Sequence, residues 1–175
     1  MCRLGQLESC MMNEHRISLS VVALFFFSIT LNAQQFHKRL SAAEKEHILD
    51  TPFAKIMTTG AMPSNVKLAF AKITGEPSFA LADPGQKYQV TDVVVDRSLP
   101  RRRLVFAGVQ GDRWFVHYEL GGRGHSYCVL LFKVDPQNGM QFVWGGVGSH
   151  GAKNLDQLRE MVAAGNFSDE TQTYW

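Results

Sequence analysis

The sequence predicts an α+β domain of N-terminal helices, a four- to five-stranded antiparallel β-meander and a C-terminal helix. Three observations predict it. Apolar residues recur at three- and four-residue spacing before residue 75 and at period two from Lys87 onward. Side-chain caps and glycine terminators bracket the helical stretches. Ten of the 15 glycines lie between Gly108 and Gly151, whereas residues 34–74 contain only Gly60, so turns crowd where the strands are expected.

The chain opens on a targeting pattern. Leu19 to Leu31 is an apolar run of 13 residues, diluted by Ser20, Ser28 and Thr30. A membrane span needs ~20 apolar residues, so the run fits a secretory h-region preceded by Arg16. Cleavage is expected after Ala33, which divides the chain into a signal peptide, 1–33, and a single globular domain, 34–175. The eleven residues before Met12 suit a signal poorly, so translation from Met11 or Met12 stands as an alternative to Met1. Processing removes Cys2 and Cys10 and leaves Cys128 as the single thiol of the mature chain.

Ser41 and Glu44 form a capping box for a helix that ends near Asp50. Thr51-Pro52 is expected to start another, because proline suits a first helical turn. A third helix runs from Pro63 to Thr74, with Val66, Ala69, Phe70 and Ile73 on one face and Gly75 as terminator. Strands are expected at Tyr88–Val95, Leu104–Val109, Trp114–Leu120, Ser126–Val134 and Met140–Val147. Short glycine-bearing turns join the later ones as hairpins. Asn154, with Gln157 three residues on, caps a last helix that stops at Gly165. The Tyr174-Trp175 tail is expected to fold back on the core.

Composition narrows the function. With 18 basic and 16 acidic residues the net charge is +2, which gives no footprint for nucleic acid. Export makes cytosolic nucleotide cofactors poor candidates, and no cofactor is expected. Gly146-Val147-Gly148-Ser149-His150-Gly151 spells G-x-G-x-x-G, but an antiparallel meander lacks the βαβ frame that dinucleotide binding requires. The loop retains the means to hold a small carboxylate through Ser149 and His150. The metal-ligand spacings of zinc sites are absent, and no metal is expected. Arg101-Arg102-Arg103 after Pro100 reads as the charged guard of an edge strand.

If Gly121 opposes Gly124 in the central hairpin, Glu119 faces Ser126 and His117 faces Cys128, which gathers four chemically capable side chains on one sheet face. Trp114, Val116, Tyr118, Val129 and Leu131 then line the other face. By the same parity His125 lies away from Glu119. A cysteine or serine beside a histidine and a carboxylate has the parts of an activated nucleophile. Against this, Tyr127 to Phe132 reads first as a buried strand, in which a cysteine acts as a small hydrophobe. Both faces of that strand are apolar, so each needs a cover, from more chain or from a second subunit.

The reading that follows is an exported, periplasmic or extracellular, non-enzymatic module that binds a small ligand or an envelope protein. Its expected surface is His117, Glu119, Ser126, Arg123 and His150. A homodimer through the sheet is a possible assembly, and no stable membrane span is expected after cleavage. The alternatives are a small hydrolase or thiol enzyme, with Cys128 or Ser126 as nucleophile, His117 as base and Glu119 as orienter, and a structural envelope subunit.

Overall fold

The computed structural model describes residues 38–169, apart from 95, 123 and 136–138. The cleavage site after Ala33, Arg123 and the Tyr174-Trp175 tail lie outside the described residues. The elements run α1 (Ala42–Asp50), β1 (Ala54–Ile56), a 3-10 turn (Thr59–Ala61), α2 (Ser64–Ile73), β2 (Arg102–Gln110), β3 (Arg113–Leu120), β4 (Ser126–Asp135), β5 (Gly139–Gly148) and α3 (Leu155–Ala163). The strands form one antiparallel sheet in chain order, β1-β2-β3-β4-β5. The domain is α+β, as its sequence predicts.

The helix caps are those read from the sequence. Ser41 Oγ accepts from the Glu44 amide at 3.2 Å, and Asn154 Oδ1 accepts from the Gln157 amide at 2.9 Å. Gly165 takes a positive φ of 72° just past α3, a conformation that glycine adopts without a Cβ penalty. Val66, Ala69, Phe70 and Ile73 are all buried on one side of α2.

Two expected elements differ. Pro52 starts no helix, because residues 54–56 pair with 107–109 and extend the sheet by a short edge strand. Phe53 sits under that edge, edge-to-face on Phe115 at 5.1 Å. Residues 88–95, in turn, contain no described strand, and Val90, Val93 and Val94 are 50%, 67% and 58% exposed. Valine favours strands only where a pleated, half-buried surface exists for it to join. Here the Gln89 amide donates to Pro100 O and the Gly122 amide to Val90 O, which leaves no ladder.

Helices cover both faces of the sheet. One face carries Leu104, Val116, Tyr118, Cys128, Leu130 and Phe132 against α2. The other carries Phe106, Phe115, Val129, Leu131 and Trp144 against Ile48 of α1 and Leu158, Met161 and Val162 of α3. More of this same chain thus supplies the cover that the apolar strands demand. Arg159 of α3 donates to the carbonyls of Ile48 and Thr51, which ties α3 to the open C-terminal end of α1.

Arg101–Arg103 guards no edge, since β2 lies between β1 and β3. Arg102 is fully buried, ion-paired to Glu76 at 2.5 Å, and donates to the Thr74 carbonyl at the end of α2. Arg103 points the other way, to Glu119. Each arginine of that pair meets a carboxylate on its own side of the sheet. Among the described residues no helix is long and apolar enough to cross a membrane.

Candidate functional site

The β3–β4 hairpin decides which side chains meet. Leu120 pairs with Ser126, Glu119 with Tyr127, Tyr118 with Cys128 and His117 with Val129. This is one residue away from the predicted register, and a one-residue slip moves every side chain of the partner strand to the other face. The cause lies at the hairpin tip. Gly121 does not pair with Gly124; its amide donates to Arg101 O, and it packs so close to Gln89 that a Cβ there would sit 1.8 Å from the Gln89 carbonyl oxygen. Residues 121–125 therefore form the loop. His117 and Glu119 stay together on the α1/α3 face, whereas Ser126 and Cys128 lie on the α2 face. The expected four-residue cluster is corrected: its nucleophiles and its base are on opposite sides of the sheet.

His117 is fully buried. Its Nδ1–H donates to the Cys128 carbonyl at 2.9 Å, and its Nε2 accepts from the Ala152 amide at 2.9 Å. A carbonyl needs a donor and an amide needs an acceptor, so these partners fix one neutral tautomer. Burial pushes the ring pKa down from 6.5 to about 4. His117 is thus a cross-link between β4 and the loop before α3, with neither nitrogen open to a substrate. Burial likewise pushes the Cys128 thiol up to about 12, far from the low-pKa, exposed setting of a reactive cysteine.

Glu119, only 8% exposed, forms the centre of a polar network at the end of the sheet. Its Oε1 accepts from Arg103 Nε at 2.8 Å; its Oε2 accepts from the Tyr88 hydroxyl at 3.0 Å and meets His125 Nε2 at 3.0 Å. His125, placed on the far face by the predicted register, is the histidine that actually reaches this carboxylate. It stacks on Tyr127 with ring centroids 5.0 Å apart, and the Arg103 guanidinium lies 4.4 Å over the Tyr88 ring. Burial, then the hydrogen bond to Glu119, push Tyr88 up to about 12. The network clamps the segment before β2 onto the sheet. Both carboxylate oxygens are engaged, which leaves Glu119 no role beside His117.

The G-x-G-x-x-G loop holds rings where a dinucleotide site would hold a pyrophosphate. A Cβ on Gly146 would meet Trp144 and Phe167, and one on Gly151 would meet the Tyr127 ring at 2.3 Å. Ser126 Oγ donates to Gly124 O at 3.3 Å. His150 is exposed and paired with Ser149 Oγ at 2.8 Å; both line a cavity of about 490 Å³ with Gln157, Met161 and Asn166. Among the described residues no group of three His, Cys, Asp or Glu side chains is placed to hold a metal.

A concavity larger than the one beside His150 lies elsewhere in the domain. A groove of about 710 Å³ forms between residues 76–81 and 94–101, within the ~300–1,000 Å³ of ordinary ligand sites. Phe79, Leu81, Leu99 and Pro100 give it apolar walls; Gln89, Arg97 and Arg101 supply polar groups. Phe79 packs edge-to-face on Phe70 of α2 at 5.8 Å, which fixes one wall to the core. The groove belongs to the 28-residue connection, 74–101, between α2 and β2. Connections longer than ~12–15 residues without their own elements are uncommon in compact domains and are usually functional or disordered. That length was the available sequence signal, and the strand expected at Tyr88–Val95 concealed it.

The chain matches no known family model, curated protein or solved structure at a significant level. Its chemistry must therefore be read from these side chains alone.

Proposed function

We propose that this is an exported, non-enzymatic binding module whose recognition surface is the groove between residues 76–81 and 94–101. One observation carries the reading. A concavity of ligand size is built from a long irregular connection that is tied down at its base, by Tyr88 on Glu119 and by the Gln89 amide on Pro100, while its rim stays exposed. Rigid support beneath an exposed loop is how connecting segments carry recognition. Two features count against the thiol-enzyme and hydrolase alternatives: the saturated, neutral His117 and the separation of Ser126 and Cys128 from it. The groove replaces the sheet face around His117 and Glu119 as the proposed surface, since Tyr127, Phe167 and Ala152 fill that face.

The test is native mass spectrometry of the protein recovered from the exported fraction of its cells. A chain beginning at Gln34 that carries a discrete mass released on denaturation supports the proposal. Loss of that mass in the Arg97→Ala/Arg101→Ala variant assigns it to the groove. A bare chain mass, or a bound mass indifferent to both arginines, overturns it.

A further inference from the structure

We infer that the groove takes an amphipathic monoanion, a carboxylate head carried on an apolar body; this rests on the binding-module reading just proposed. The charge balance at the rim points to the head. Of the three ionisable side chains that line the groove, Glu76 is the only acid, and its carboxylate is already paired at 2.5 Å with the buried guanidinium of Arg102. Arg97 and Arg101 are exposed, and among the described residues neither has an acidic partner within ion-pair distance. The groove therefore presents two uncompensated guanidinium groups, whose planar forks suit a carboxylate better than any neutral group.

The body of the ligand is set by the walls: Phe79, Leu81 and Leu99 offer apolar surface, and Val94, 58% exposed, extends it at the mouth. A small inorganic anion would leave that surface wet, and a neutral lipid would leave both arginines unmatched.

Three probes built on a ten-carbon chain separate head from tail: decanoate, decanol and decyltrimethylammonium. Each is titrated calorimetrically, below its micellar concentration, into the natively processed protein and into its Arg97→Ala/Arg101→Ala and Leu81→Ala variants. Decanoate is expected to bind at least tenfold more tightly than decanol, with the ammonium probe weaker still. The arginine double variant is expected to lose at least tenfold for decanoate alone, while Leu81→Ala weakens decanoate without restoring the other two. Equal binding of decanol and decanoate, lost on Leu81→Ala, overturns the anion and leaves the groove as the site. Binding of none of the three, or binding that all variants share, overturns the groove as well.

Discussion

Acidification should destabilise this domain through His117, and the size of the effect follows from the burial of one ring. In the unfolded chain the imidazole titrates at 6.5, and in the folded chain at about 4. Above pH 6.5 the residue is neutral in both states and stability is unaffected. Between 6.5 and about 4 the unfolded chain carries a proton that the folded chain refuses, so stability falls as pH falls. Below about 4 both states are protonated and the loss levels off. At 1.36 kcal/mol per pKa unit the full loss is ~3 kcal/mol, a large share of a typical ~5–15 kcal/mol stability. The comparison is His117→Gln, whose amide retains a donor for Cys128 O and an acceptor for the Ala152 amide yet does not titrate. Urea unfolding at several pH values from 7.5 to 4 should show the two stabilities converging by ~3 kcal/mol as pH falls. Parallel curves would refute the assignment of His117 as a buried, neutral cross-link.

Two further outcomes follow from packing. Gly121→Ala should destabilise by at least the ~1–3 kcal/mol usual for overpacking, because its Cβ would meet the Gln89 backbone at 1.8 Å; Gly124→Ala, with nothing within 4 Å of its Cβ, should stay within ~0.5 kcal/mol of the parent. Thermal or urea melts of the two variants check this, and equal effects would show that the tip is not pressed against residue 89. Cys128 should resist iodoacetamide in the folded protein and react on denaturation, given its full burial and a thiol pushed up to about 12; mass spectrometry reads the adduct, and stoichiometric native labelling would reopen the thiol-enzyme reading.

The helices and the hairpin strands were legible because local chemistry decides them. The Ser41 and Asn154 caps, the stripe from Val66 to Ile73 and Gly165 each act within one or two turns of their own position. The errors arose where a distant partner decides. The residues after Pro52 became a strand because β2 offered an edge at residues 107–109, and the valines after Tyr88 found no strand to join. The register of β3 on β4 depended on Gly121 packing against Gln89, some thirty residues earlier, which hairpin chemistry alone does not encode. The chosen site inherited that one-residue error. His117 and Glu119 were correctly placed side by side, but their partners were not, and both are consumed by structural bonds.

The order of the strands also sets a sequence of events for the chain as it folds. Strands β2 to β4 each pair with their immediate successor across connections of two to five residues, so three hairpins can close without waiting for distant chain. β1 must instead find β2 across the 45 residues between them, a stretch that includes α2 and both walls of the groove. Closing a loop of that length costs more chain entropy than closing any hairpin here. β1 is thus the last strand to dock: the four hairpin-linked strands can assemble first and present a free edge at residues 107–109 until β1 closes on it.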